Sequence, residues 1–314
     1  MKTKTPTVNV SARFSLRLAL SLFLAAVFVC LSTPVLADTI YSFQTVIFPG
    51  DTFTQLLGIN NSGRIAGYHG SGATGHPNKG FTLLLPDDFT SENFPGSAQT
   101  QVIGINNKGN TDGFYIDAAG VNHGFTHING TFTSIDFPNK TSVLTQLLGV
   151  NDKNEAAGYW QNAAGKQFPF TLAGGVFTGL DSMLPSNMSA QATGVNNAGD
   201  VSGFYVDSAG VNHGFLLHNG VVTILDFPGA TLTQALGLNN LHQVVGFYMD
   251  AAGNTHGFLY DVKALEFQSV NDPKAVDATV INGINDDGQV VGFFVDAITG
   301  NTNGLVGRIV RCVD

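Results

Sequence analysis

Residues 191–228 read QATGVNNAGDVSGFYVDSAGVNHGFLLHNGVVTILDFP. Four short runs inside this stretch are dominated by Val, Ile, Phe, Tyr and Thr: Gln191 to Asn196, Val201 to Asp207, His213 to His218 and Val221 to Phe227. Gly, Asn and Asp separate them, which is the composition of strands joined by tight turns. The stretch therefore predicts one antiparallel meander. It also recurs. Its opening glycine, Gly194, belongs to the series Gly58, Gly104, Gly149, Gly194, Gly237 and Gly283, spaced by 46, 45, 45, 43 and 46 residues. No segment after residue 37 has the length and 3.6-residue spacing of a substantial helix.

Three further marks travel with the repeat. A second glycine follows the first by nine residues in all six copies (Gly67, Gly113, Gly158, Gly203, Gly246, Gly292), with an aromatic after each. Glycine weakens a strand unless another backbone comes close, and crowding near a central axis supplies a reason for it here. A Gly-Phe pair recurs at Gly80, Gly124, Gly214 and Gly257, changing to Pro169-Phe170 and Gly304-Leu305. The first turn reads Asn-Asn-x-Gly or a variant, with Asn154 and His242 at the glycine position of repeats three and five. Asn and Gly favour such turns because they accept positive φ.

The last repeat lacks its fourth run, and a matching run stands alone at the other end, where residues 43–50 (FQTVIFPG) resemble residues 222–229 (VTILDFPG). A ring solves both problems at once. The expected architecture is all-β: a six-bladed β-propeller of four-stranded blades, closed by an N-terminal strand (41–49) that completes the last blade. The blades begin near residues 52, 98, 143, 188, 231 and 277, within a single domain over 38–314. The Gln-x-x-Gly-Ile-Asn run is the innermost strand. The links between blades and the Asp-x-x-Gly-x-x-His hairpins fall on one face, where propellers usually bind ligands.

Residues 1–37 read as a secretory signal peptide: Lys2, Lys4, Arg13 and Arg17, then an apolar run from Leu18 to Leu31, then Val35-Leu36-Ala37 before the cut. The expected localisation is secreted, either periplasmic or extracellular. The remaining chain holds one cysteine, Cys312, so no internal disulfide forms. It carries 23 acidic residues against 10 basic ones, a balance that disfavours nucleic acid and anionic membranes. No membrane span follows the signal, and a monomer is expected.

The pattern Gly-Ile-Asn-Asn … Gly-Phe-Tyr-x-Asp-x-x-Gly-x-x-His-Gly-Phe … Phe-x-x-x-Asp-Phe-Pro-Gly is cleanest at residues 104–138 and 194–228. It resembles the extracellular repeat of the HAF family of bacterial secreted proteins, with His-Gly-Phe in place of the family's His-Ala-Phe. The resemblance implies an extracellular repeat protein and supplies no catalytic residue. Repeats one, three and six lack the histidine, carrying Lys79, Phe168 and Asn303 instead.

Two sets of residues are candidate ligand contacts. Gln55, Gln101, Gln146, Gln191 and Gln234 precede the inner glycine by three residues, with Val280 in the sixth repeat. They would ring the channel mouth, where amides bind sugar hydroxyls or, structurally, satisfy a neighbouring blade's backbone. Trp160, the sole tryptophan, suits sugar stacking if exposed and core filling if buried. The pairs Asp117/His123, Asp207/His213 and Asp250/His256 read either as carboxylate–imidazole sites or as buried hydrogen bonds locking a hairpin, and three copies in different blades favour the structural role. The long hairpin 69–79 carries His69 and His76, a faint metal signal. Asn285-Asp286-Asp287-Gly288 has a calcium flavour without the spacing of a calcium loop. No catalytic residue, metal ligand or cofactor is assigned. The sequence thus points to a secreted, non-enzymatic propeller binding an extracellular protein or polysaccharide. The alternatives are a polysaccharide hydrolase or lyase acting at the channel mouth, and a calcium-stabilised surface module.

Overall fold

The computed structural model describes residues 41–185 and 188–310; residues 1–37, read above as a signal peptide, and Cys312 lie outside the described residues. Each repeat forms one four-stranded antiparallel sheet. In the fourth, Ala190–Val195, Val201–Val206, Asn212–His218 and Val221–Leu225 follow one another from the innermost strand to the outermost. The inner strands of the six blades are Thr54–Ile59, Gln99–Ile105, Ser142–Val150, Ala190–Val195, Leu232–Leu238 and Ala275–Ile284. The sixth sheet takes its outer strand from the start of the chain: Tyr41–Val46 pairs antiparallel with Thr302–Ile309, Tyr41 opposite Ile309 and Val46 opposite Gly304. Single parallel bridges such as Leu144 to Asn122 and Thr255 to Ala278 tie neighbouring sheets at their link ends. Helical structure among the described residues is one 3-10 turn, Asp181–Met183, in the link from blade three to blade four. The chain is an all-β, six-bladed propeller.

The two glycine series have separate causes. Every inner strand carries a β-bulge just before its Gly-Ile-Asn, between Leu56 and Gly58 in the first blade and at the matching place in the others. The bulge drives the carbonyl of the glutamine (Val280 in blade six) onto the second glycine, so a Cβ on Gly67, Gly113, Gly158, Gly203, Gly246 or Gly292 would collide with it. The second glycine is therefore required by its own sheet, a correction to the axial crowding expected from the sequence. Axial crowding belongs to the first glycine. A Cβ on Gly149 would stand 3.0 Å from the Cα of Gly194, and one on Gly283 would stand 3.3 Å from the Cα of Gly58. These glycines let the inner strands converge around a narrow channel.

Packing between sheets is aromatic. The phenylalanines of the Gly-Phe mark, Phe81, Phe125, Phe170, Phe215 and Phe258, and Leu305 in the sixth blade are fully buried. Truncating any of the phenylalanines to alanine is expected to cost about 3–5 kcal/mol. The link phenylalanines stack on the next blade: Phe94 on Tyr115 at 3.8 Å, Phe227 on Tyr248 at 3.7 Å and Phe48 on His69 at 3.6 Å between ring centroids. Their backbone N–H groups donate to the threonine that opens the next inner strand, Phe48 to Thr54, Phe94 to Thr100 and Phe227 to Thr233. Each link is thereby pinned from both its side chain and its backbone.

Candidate functional site

The channel has two mouths of different character. On the link face a cavity of about 390 Å³ is lined by Gln55, Gln101, Gln191 and Gln234, by Tyr68, Phe114 and Phe204, and by a collar of Leu57, Ile103, Leu148, Leu236, Thr193 and Asn282. The collar residues are the ones the six bulges leave unpaired, and a bulge re-aims its extra side chain. Sequence reasoning located the glutamines and missed this collar; its signal was the residue preceding each inner glycine.

The glutamines differ in their partners. Tyr68 donates its hydroxyl to Gln55 Oε1 at 2.7 Å, and Tyr159 donates to Gln146 Oε1 at 2.8 Å. Gln191 donates from Nε2 to Gln167 Oε1 at 3.0 Å. Gln101 and Gln234 make no side-chain hydrogen bond among the described residues. The partners are side chains, not the neighbouring backbone expected from the sequence, because Gln55 and Gln146 stand directly opposite Tyr68 and Tyr159 in the strand register. Gln146 is absent from the cavity lining, a correction to its place in the ring. Burial raises Tyr68 well above the ordinary phenol range and pushes Tyr159 up to about 12, so both hydroxyls stay protonated donors.

The opposite mouth, on the turn face, is closed by hydrogen bonds. Each first asparagine of the Asn-Asn turn uses Oδ1 to hold its own turn and Nδ2 to donate to the backbone carbonyl of its counterpart in the next blade. The series runs from Asn60 to Asn106, Asn151, Asn196, Asn239 and Asn285, and back to Asn60, at 2.9–3.3 Å. The second turn residue repeats the circuit: each backbone N–H donates to the Oδ1 of the next, through Asn61, Asn107, Asp152, Asn197, Asn240 and Asp286, at 2.7–2.9 Å. The two carboxylates stand three blades apart. Asp152 Oδ2 accepts from Asn107 and Asn197, and Asp286 Oδ2 accepts from Asn61 and Asn240. Of the two carboxylates in residues 285–288, that of Asp286 is thus occupied by two amides. Burial would raise the Asp152 carboxyl, but the amides of Asn197 and Asn107 outweigh it and hold the group below its ordinary value. Only about 70 Å³ remains at this mouth.

Between the mouths lies a waist of about 80 Å³ walled by the inner glycines. Behind it Asp112 is completely buried. Its Oδ1 accepts from the Gly104 N–H at 2.9 Å, while Oδ2 has no partner among the described residues. Burial dominates and pushes this carboxyl up to about 7, against the Gly104 and Gly149 backbone donors.

The Asp/His pairs sit outside the channel, on the link-face hairpins. His123 Nδ1 is 2.7 Å from Asp136 and its Nε2 is 3.6 Å from Asp117; His213 lies 2.9 Å from Asp226 and 3.5 Å from Asp207. The closer carboxylates, Asp136 and Asp226, come from the Asp-Phe-Pro mark, whose charge the sequence reading left unused. In blade five Asn271 replaces that aspartate, and among the described residues His256 Nε2 meets only the Asp250 carboxylate, at 3.1 Å. These groups are partly exposed, where the sequence predicted burial. Asp117, Asp207 and Asp250 also accept backbone N–H groups of their own hairpins, from Val121, Val211 and Asn254. For His213, burial would lower the pKa, and the Asp226 carboxylate reverses that and raises it.

Trp160 is buried, with 8% of its surface exposed, and is stacked between Phe137 at 5.0 Å and Phe168 at 4.2 Å. It occupies the repeat position of Tyr115, Tyr205 and Tyr248, and like Tyr115 and Tyr248 it lies under a link phenylalanine. This overturns the reading of Trp160 as a ligand contact: its faces are already covered.

No family model and no curated protein matches the chain. Solved structures do. A triple mutant of AofleA from Arthrobotrys oligospora is similar with a TM-score of 0.51 and 13% identity over 87% of each chain. TolB from Acinetobacter baumannii is similar with a TM-score of 0.51 and 11% identity, over 81% of this chain and 64% of that one. A fucose-specific lectin from Aleuria aurantia gives 0.48 and 8% identity, over 88% and 99%. At such identities the likeness is one of fold, the propeller that the strand order already shows.

Proposed function

We propose that the chain is a non-enzymatic binding propeller that takes a neutral carbohydrate at the link-face mouth of its channel. The observation that carries this reading is the chemistry of the cavity lining. It combines amides, two hydroxyl-bearing residues, aromatic rings and aliphatic side chains, with no carboxylate, imidazole or thiol among the described lining residues. Amides offer a donor and an acceptor to each sugar hydroxyl, and Gln101 and Gln234, in blades two and five, present theirs uncommitted. A hydrolase or lyase needs a general acid or base within reach of its substrate; the one titratable side chain of this lining is Tyr68, whose hydroxyl is committed to Gln55 and which burial keeps protonated. The acidic balance of the chain also favours an uncharged polymer over an anionic one. The resemblance to the HAF repeat and the signal-like residues 1–37 support a secreted protein that meets this polymer in the periplasm or outside the cell.

The test is a glycan array probed with the chain, followed by calorimetry on the best neutral oligosaccharide. A Gln101→Ala/Gln234→Ala double variant should bind at least about tenfold more weakly with an unchanged melting temperature. Retention of acidic glycans only, or full affinity in the double variant, would overturn the reading.

A further inference from the structure

We propose that Asp200, His218 and His242 form a three-ligand site for a divalent transition metal of the zinc class, joining blades four and five on the turn face. Asp200 is buried, 3% exposed, with His218 Nδ1 2.7 Å from one carboxylate oxygen and His242 Nδ1 3.1 Å from the other. One ligand atom from each residue can be chosen so that all three lie within 4.8 Å of one another, and among the described residues no other trio of His, Cys, Asp or Glu does so. Zn²⁺ binds imidazole nitrogen and carboxylate oxygen at about 2.0–2.2 Å, so two ligand atoms of one ion stand no more than about 4.4 Å apart; the 2.7 and 3.1 Å separations of the imidazoles from the carboxylate lie inside that reach, and three such ligands leave a fourth position to water. The imidazoles are open enough to admit it, with 43% of His218 and 30% of His242 exposed. The carboxylate is steadied from behind by the Asn196 amide, which donates to Oδ2 at 2.9 Å. Two imidazoles and one carboxylate suit Zn²⁺, Cu²⁺ or Ni²⁺ better than Ca²⁺.

The repeat supplies an independent argument. Asp200 stands where the other blades have Arg64, Asn110, Glu155, Gln243 and Gln289. His218 stands where they have Leu84, Ile128, Ala173, Asp261 and Arg308. His242 replaces a turn glycine and adopts φ +62°, a conformation that histidine enters at a cost. The Asp200 position serves the turn as an acceptor for Asn196, as Glu155, Gln243 and Gln289 do for their own asparagines, but neither histidine is required by the repeat, and the three coincide at one blade boundary only. The long-hairpin histidines, His69 and His76, also share a carboxylate, Asp51, at 2.8 and 2.9 Å, but do not meet the three-way closeness. The rival reading is a hydrogen-bonded His–Asp–His clasp that holds no ion.

The experiment titrates the metal-stripped chain with ZnCl₂, followed by calorimetry and thermal melting, with CoCl₂ absorption as a coordination probe. Wild type should bind one equivalent at this site, melt at a higher temperature with Zn²⁺, and show the visible bands of nitrogen–oxygen-ligated Co²⁺. His242→Gly restores the residue used by four other blades, and His218→Ala restores that of blade three, so both variants should fold. Both should lose the equivalent, the melting shift and the bands, with affinity falling by about tenfold or more. Absence of a Zn²⁺ response in wild type, or its survival in either variant, overturns the proposal.

Discussion

The two mouths of the channel are lined by the same chemical group, the primary amide, in opposite states. On the turn face the asparagine amides are bonded from blade to blade in two complete circuits, and Asp152 and Asp286 accept the amide hydrogens the circuits leave over. On the link face two of the glutamines that line the cavity, Gln101 and Gln234, have no side-chain bond among the described residues. A repeated residue is therefore not by itself structural or functional. The state of its hydrogen bonds separates the two roles, since a satisfied amide fixes neighbours and an open one can receive a ligand.

Asp112 combines both states in one side chain and gives the largest effect expected of the polar groups around the channel. Its folded pKa of about 7 lies above the ordinary 3.8, so across that window the folded chain holds a proton that the unfolded chain releases. Stability should fall as pH rises from about 4 to about 7, then level off. Asp112→Ser, which copies Ser202 of blade four, should abolish that slope and gain on the order of 3 kcal/mol at about pH 8; urea unfolding at several pH values measures it.

The bonded mouth comes next. Asp152→Ala strands the Nδ2 groups of Asn107 and Asn197 and the Asn107 backbone N–H, which should cost about 2 kcal/mol in urea unfolding at neutral pH. Its folded pKa is depressed, so this contribution is present above the unfolded value and is lost as pH falls through the folded one. The difference between variant and wild type should accordingly close in acid. At the open mouth the reverse holds: Gln101→Ala with Gln234→Ala should leave unfolding within about 0.5 kcal/mol of wild type while weakening glycan binding. Smallest of all, Trp160→Tyr installs the ring found in blades two, four and five; a melting curve should move by about 1 kcal/mol or less, with glycan affinity unchanged.

What was legible in the sequence tracks what is local. The period, the four runs per repeat and the strand lent by residues 41–46 follow from glycines and turns whose causes act within one blade or at a fixed repeat distance. The glutamine positions were legible for the same reason. Their partners were not, because pairing Gln55 with Tyr68 depends on a bulge that shifts the register. Asn-Asn-x-Gly reads locally as a turn, and its reach to the next blade, 43 to 46 residues away, leaves no trace in a single repeat. Trp160 was ambiguous for want of Phe137, which arrives from a link. Asp200, His218 and His242 come from three different turns and strands, and only folding brings them together.

The pairing of Tyr41–Val46 with Thr302–Ile309 has a consequence for biogenesis. Ser42 meets Arg308 across 266 residues, so the first described strand waits for the last described one before it has a partner. A nascent chain stopped anywhere short of residue 302 carries Tyr41–Val46 without its partner strand, an edge exposed to other molecules throughout that interval.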